Sequence, residues 1–102
     1  TDFKTNYCSD LEIYKRDIRI YDGYVGGGYA LSRREELLML RDLCKASGIM
    51  LDPVYTGKAF FGMIDLICKK IIPPDSRVLF LHTGGIWGTM AVGDRFKKFN
   101  LI

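Results

Sequence analysis

Leu51-Asp52-Pro53-Val54-Tyr55-Thr56-Gly57-Lys58-Ala59 and Leu79-Phe80-Leu81-His82-Thr83-Gly84-Gly85 decide how this chain reads. Each joins an apolar run to a hydroxyl-bearing residue and then to glycine. That is how an α/β protein presents polar groups at the carboxyl end of a strand, where open sheets bind ligands. Working outward, Asp52 as N-cap with Pro53 at the first helical position predicts a helix start. Phe60, Ile64, Ile67, Cys68 and Ile71 carry the helical period to about Lys70. Pro73-Pro74-Asp75 forces a turn. Val78-Leu79-Phe80-Leu81 is nearly all apolar, as expected of a parallel strand covered on both faces. Gly84-Gly85 breaks it, and a short helix follows over Ile86 to Ala91.

Upstream, Ile18-Arg19-Ile20-Tyr21 alternates and reads as a strand. Asp22 to Gly28 holds four glycines and reads as a loop. Ser32 opens a capping box with Glu35, and Leu37, Leu40 and Cys44, widened by Leu38 and Leu43, form a helical stripe. Gly48 suits a left-handed helix end. Ile49-Met50-Leu51 is a short apolar run between the helices. Thr1 to Lys15 shows no clear period, as if the chain had been cut from a larger fold. The order strand, helix, short strand, helix, strand, helix implies right-handed α/β crossovers.

The chain has 102 residues, 48% hydrophobic and 26% charged, with a net charge of +3. This is a globular composition for one domain or a piece of one. The basic residues are dispersed, without the stripe that a nucleic-acid surface needs, so no nucleic-acid partner is expected. No apolar run is long enough to span a bilayer, and no membrane role is expected. Cys8, Cys44 and Cys68 are widely spaced and share one histidine, His82, so no metal site is expected. Cys44 and Cys68 fall on apolar helix faces, where thiols pack as small hydrophobes. Free thiols suit a reducing setting, and a cytoplasmic location is the expectation.

Gly23-Tyr24-Val25-Gly26-Gly27-Gly28 follows a strand and precedes a helix, yet Gly-x-Gly-x-x-Gly fits it in no register, which argues against a dinucleotide fold. Tyr55 falls in the first turn of its helix, where free N–H groups and the dipole favour negative charge. A phenol there can have its ionised form stabilised and move a proton, or simply hold substrate. Lys58 reads as a helix residue with its ammonium at the surface. His82 should point away from Thr83 and serve structure. Trp87 reads as a core aromatic before a pocket wall.

Gly28-Tyr29, the Asp52-to-Ala59 run and His82-Thr83-Gly84-Gly85, at these spacings, resemble the carboxy-terminal part of the D-cysteine desulfhydrase and 1-aminocyclopropane-1-carboxylate deaminase family. The likeness spans roughly 18–96. It implies that residues 1–102 are the carboxy-terminal part of a large domain. That domain would contain the three-layer open parallel sheet of fold-type II, tryptophan-synthase-β-like pyridoxal-phosphate enzymes. It implies pyridoxal 5'-phosphate as cofactor, an amino-acid substrate and a homodimer when intact. By resemblance, Tyr29 and Tyr55 face substrate as catalytic residues, while Thr83, Gly84 and Thr56 border the cofactor.

Thr83 matches the neutral hydroxyl beside the pyridine nitrogen, which leaves the ring less electron-withdrawing and suits β-elimination. The deaminase branch usually has glutamate where this chain has Thr56, so the likeness favours the desulfhydrase branch: D-cysteine to pyruvate, sulfide and ammonia. The family's Schiff-base lysine lies upstream of this chain, and the chain alone is expected to be inactive. Alternatives are the deaminase itself, a non-catalytic fragment, or a module binding a small anion near Pro53. The geometric expectation behind all of this is that Tyr55 and Thr83 converge on one cleft.

Overall fold

The computed structural model describes residues 2–101. Its elements are α1 (Asp2–Tyr7), a 3-10 turn (Lys15–Asp17), α2 (Arg34–Ser47), α3 (Thr56–Cys68), α4 (Ile86–Ala91) and α5 (Gly93–Lys98). The helix α1 lies in the stretch where the sequence shows no period.

α2 begins one residue beyond the Ser32/Glu35 box. The Glu36 carboxylate accepts from the Arg33 backbone N–H at 3.0 Å, and the Arg33 guanidinium grips the same carboxylate from Nε and Nη2. A buried carboxylate so fully satisfied outcompetes Glu35, which faces water. Ser32 is thereby free to reach out, and its hydroxyl donates to the Pro53 carbonyl at 3.4 Å. Gly48 closes the helix with φ 74°, its N–H on the Cys44 carbonyl at 2.8 Å, as the left-handed cap requires.

Leu37 and Leu40 of α2 form the core with Leu51, Phe96 and Leu101, so the carboxy-terminal helix α5 folds back onto α2. α3 crosses the same stripe, and Phe60 of α3 meets Phe80 edge to face at 5.2 Å between ring centres. Phe96 and Leu101, outside the predicted stripes, complete that core.

Strands, Cys68 and Trp87 depart from the expectations of the sequence. First, Ile18–Tyr21, Ile49–Leu51 and Val78–Leu81 are not strands: no strand is present among the described residues. Apolar, β-branched composition makes a segment compatible with a parallel sheet, but a strand exists only through backbone bonds to a neighbour. These three segments do not supply one another with that neighbour, so no parallel sheet forms among the described residues. Second, Cys68 is exposed, because α3 turns Gly57, Gly62 and Leu66 inward instead; Cys44 is half-buried. Third, Trp87 is exposed rather than in the core.

Unpaired segments leave much apolar surface in water. Ile20 is 84% and Leu79 85% exposed. The accessible surface, 7921 Å², exceeds the roughly 5,800 Å² typical of a folded monomer of this mass. The radius of gyration is 16.4 Å, against about 13 Å for a compact chain of this length. Among the described residues, no helix is long and apolar enough to cross a membrane.

Candidate functional site

Asp52 organises the region that the two diagnostic runs share. Its carboxylate accepts from the backbone N–H groups of Val54 at 2.8 Å, Tyr55 at 2.7 Å and Thr56 at 2.9 Å, and from the Thr56 hydroxyl. The Asp52 N–H donates back to the Thr56 hydroxyl oxygen at 2.9 Å. The aspartate binds the N–H groups of the turn at 53–55 and the first N–H of α3, but it is not the N-cap expected: Tyr55 holds that position, and the helix starts at Thr56 rather than Pro53. Only 2% of Asp52 is exposed. Burial pushes the carboxyl up, yet the Thr56 hydroxyl and the three N–H groups outweigh it and hold the carboxyl below the usual carboxylate range.

A depressed native value makes this carboxylate a stabilising group above its unfolded pKa of about 4. That contribution disappears as pH falls through the native value. Asp52→Ala is expected to cost roughly 2–4 kcal/mol at pH 7, since it orphans buried N–H groups and a hydroxyl. Urea midpoints measured from pH 6 down to pH 2 should fall less for the variant than for the parent chain.

The second run meets the same aspartate. A Cβ built on Gly85 would lie 2.8 Å from the Asp52 Cγ, and Gly85 has φ 86°, so the loop passes over the carboxylate only because it has no side chain there. His82 anchors that loop: its Nε2 donates to the Met50 carbonyl at 2.8 Å, and its Nδ1 accepts from the Gly84 N–H at 3.1 Å. His82 is structural, as the sequence suggests.

Tyr29 and Tyr55 come together. Their rings meet edge to face, centroids 6.0 Å apart, at the mouth of an open cleft of about 760 Å³. The walls are apolar and aromatic, with Tyr21, Tyr24, Val54 and Met63 among them. The Tyr55 phenol is held above the ordinary tyrosine range by its hydrogen bond and charge interaction with Tyr29, then by partial burial and the Asp52 charge. Of the two roles the sequence leaves open, a stabilised phenolate or a phenol that holds substrate, this direction favours the second. The N–H groups that would have favoured negative charge are already taken by the Asp52 carboxylate, whose own charge disfavours a second anion. Tyr55 is a neutral phenol, a donor.

The remaining predicted residues lie elsewhere. Thr56 is buried beneath Asp52 and does not line the cleft. Thr83 and Gly84 are exposed and do not line it either. The two runs thus converge on Asp52 rather than within one cleft. Thr83 has no hydrogen-bond partner among the described residues, and a Cβ on Gly84 would meet nothing within 4 Å. A neutral hydroxyl beside open backbone is a fitting partner for the ring edge of an aromatic cofactor.

Lys58 overturns its sequence reading. It is 8% exposed, and its ammonium donates to the carbonyls of Val25 and, at 2.7 Å, Gly28. The glycine-rich loop turns these carbonyls inward, a feature of backbone geometry that residue identities do not announce.

Against known proteins, residues 5–84 match the family described as "Pyridoxal-phosphate dependent enzyme". Relatives from Thermotoga maritima and Pyrococcus furiosus, both named "Putative 1-aminocyclopropane-1-carboxylate deaminase", are 40% and 44% identical over 83% of this chain, covering 26% and 25% of their own length. A Klebsiella pneumoniae protein named D-cysteine desulfhydrase is 44% identical over 76% of this chain and 24% of its own length. The chain therefore spans about a quarter of the length of the curated relatives it matches.

Proposed function

Because the chain belongs to the pyridoxal-phosphate dependent enzyme family, we propose that it forms one wall of the active site of a lyase resembling D-cysteine desulfhydrase. The observation that carries this is the exposed Tyr29–Tyr55 pair, rings edge to face at 6.0 Å beside the start of α3, opening on an apolar cleft. When bound, the cofactor supplies an electron sink for the bond electrons released at the substrate's α-carbon. Tyr55, as a neutral phenol, donates a hydrogen bond to substrate or a proton to a departing group, and Tyr29 orients it. Thr83 offers a neutral hydroxyl to the ring nitrogen, and Gly84 lets the backbone approach the ring.

In this reading Lys58 does not carry the cofactor; its ammonium, held by the Val25 and Gly28 carbonyls, supports that. We place the cofactor-bearing lysine outside residues 1–102, so the chain by itself does not turn over. The exposed Ile18–Tyr21 and Val78–Leu81 segments would complete a parallel sheet with the rest of the polypeptide; the apolar side chains they leave in water support this. The intact enzyme would be a cytoplasmic homodimer.

A second reading, the cyclopropane-carboxylate deaminase, is favoured by the names of two relatives. Against it, Thr56 brings a hydroxyl committed to Asp52 where that branch is expected to bring a carboxylate. The test is the complete polypeptide carrying this sequence, loaded with pyridoxal phosphate and given each substrate in turn. D-cysteine and water should yield pyruvate, sulfide and ammonia in equal amounts, with kcat/KM more than about tenfold above that for 1-aminocyclopropane-1-carboxylate. The opposite ratio establishes the deaminase, and turnover of neither rejects both.

A further inference from the structure

Tyr29 is the most exposed member of the cleft's aromatic pair, at 75%, and its ring touches Tyr55. Side-chain packing therefore does little to orient it. What holds it is the backbone on either side. The carbonyl before it, Gly28, accepts from the Lys58 ammonium at 2.7 Å; the carbonyl after it, Ala30, accepts from Arg95 Nη1. The two cations come from different helices, α3 and α5, at sequence distances of 30 and 65 residues. The backbone between them is unusual. Gly28 has φ 125° and Ala30 φ 56°. A left-handed alanine is strained, so that conformation persists only where its surroundings impose it.

Neither cation is explained by ion pairing. Among the described residues, neither Lys58 nor Arg95 forms a salt bridge to a carboxylate. A buried ammonium satisfied by carbonyls alone is an expensive way to fill space, since an apolar side chain would pack as well. Its distinctive contribution is directional: it fixes where those carbonyls, and hence the peptide planes, point.

The geometry points to Lys58 and Arg95 as a pair of positioning residues that clamp the peptides flanking Tyr29 and so aim its phenol at Tyr55. This rests on the reading of Tyr29 and Tyr55 as the substrate-facing pair. It extends that reading to Lys58, on the cleft wall, and to Arg95, outside the cleft, each acting through the peptide whose carbonyl it holds.

The chain, labelled with 13C at the tyrosine Cζ positions, reports the clamp by NMR titration from pH 7 to pH 12. Tyr55 titrates above the ordinary tyrosine range because of Tyr29, and Tyr29→Phe should bring it down. Lys58→Met and Arg95→Gln should each bring it down likewise, while Tyr24, held high by its own hydrogen bond to Asp65, stays high. A loss of general structure would lower both tyrosines together. Arg95→Lys, which keeps a cation, should keep Tyr55 high. Should Lys58→Met fail to fold, Arg95→Gln, at a half-buried site, decides alone. A folded variant in which Tyr55 titrates as high as in the parent chain overturns the clamp. The titration needs no cofactor, so a clamp seen in a complete enzyme without lyase activity would reject the functional reading and leave the clamp standing.

Discussion

Gly57→Ala is expected to abolish the cooperative unfolding transition of this chain. A Cβ at position 57 would stand 2.5 Å from the Asp52 carbonyl oxygen and 3.0 Å from Leu40 Cδ2. The first neighbour is backbone and cannot swing aside. It also accepts the Gly57 N–H at 2.7 Å, so pushing it away breaks the bond that starts α3. Overpacking of this kind costs about 3 kcal/mol or more. The core is small, and much apolar surface is already in water, so the chain has little stability to lose. Circular dichroism through a urea titration would show a gradual, low-amplitude change in place of a sigmoid. Gly93→Ala is the matched control: no atom lies within 4 Å of its Cβ position and α5 begins there, so that substitution should be neutral or slightly stabilising. A Gly57→Ala midpoint within experimental error of the parent would show that the α2–α3 contact is looser than these distances require.

The second large effect is chemical. In the complete enzyme, Tyr55→Phe is expected to lower kcat by about 10²-fold or more, the range in which a positioned proton donor acts. Folding should be untouched, since Tyr55 is 64% exposed and phenylalanine keeps the edge-to-face contact with Tyr29. The sign of the pH dependence follows from the raised phenol. A group that must be protonated, and whose pKa lies above the tyrosine norm of about 10, stays competent across neutral and mildly alkaline pH. The parent enzyme should therefore show no loss of kcat between pH 7 and pH 9 attributable to Tyr55. A phenolate would give the reverse, with rate climbing through that interval. Equal kcat for Tyr55→Phe and the parent would remove Tyr55 from the chemistry.

Local signals carried the helices well. The α2 stripe, the Gly48 stop and the helix over Ile86–Ala91 follow from periodicity and from glycine's freedom at positive φ. The site was legible where it depends on short-range order, as in Asp52 binding the N–H groups of residues 54–56. The expected convergence of Tyr55 and Thr83 on one cleft failed, because that depends on where a loop 28 residues away is carried. Three things were hidden because they depend on partners distant in sequence. Whether Val78–Leu81 is a strand depends on a neighbour that its own residues cannot name. Whether Lys58 is wet or dry depends on where residues 25–28 turn their carbonyls. The protonation of Tyr55 depends first on Tyr29, brought beside it from 26 residues away, and only then on burial and the Asp52 charge. In each case the residue type permits two outcomes, and long-range geometry selects one.

The Thr56 hydroxyl is bound into the Asp52 carboxylate while Gly85 presses on the same group from the other side. Position 56 is therefore not an independent dial between the two enzyme branches. Glutamate introduced there alone would force one carboxylate against another in a space sealed from water, and the repulsion would spread to both ligand-facing segments at once. If position 56 separates the two activities as proposed, the exchange requires the Asp52–Gly85 junction to be rebuilt with it, and Thr56→Glu alone is expected to lower the urea midpoint of the chain.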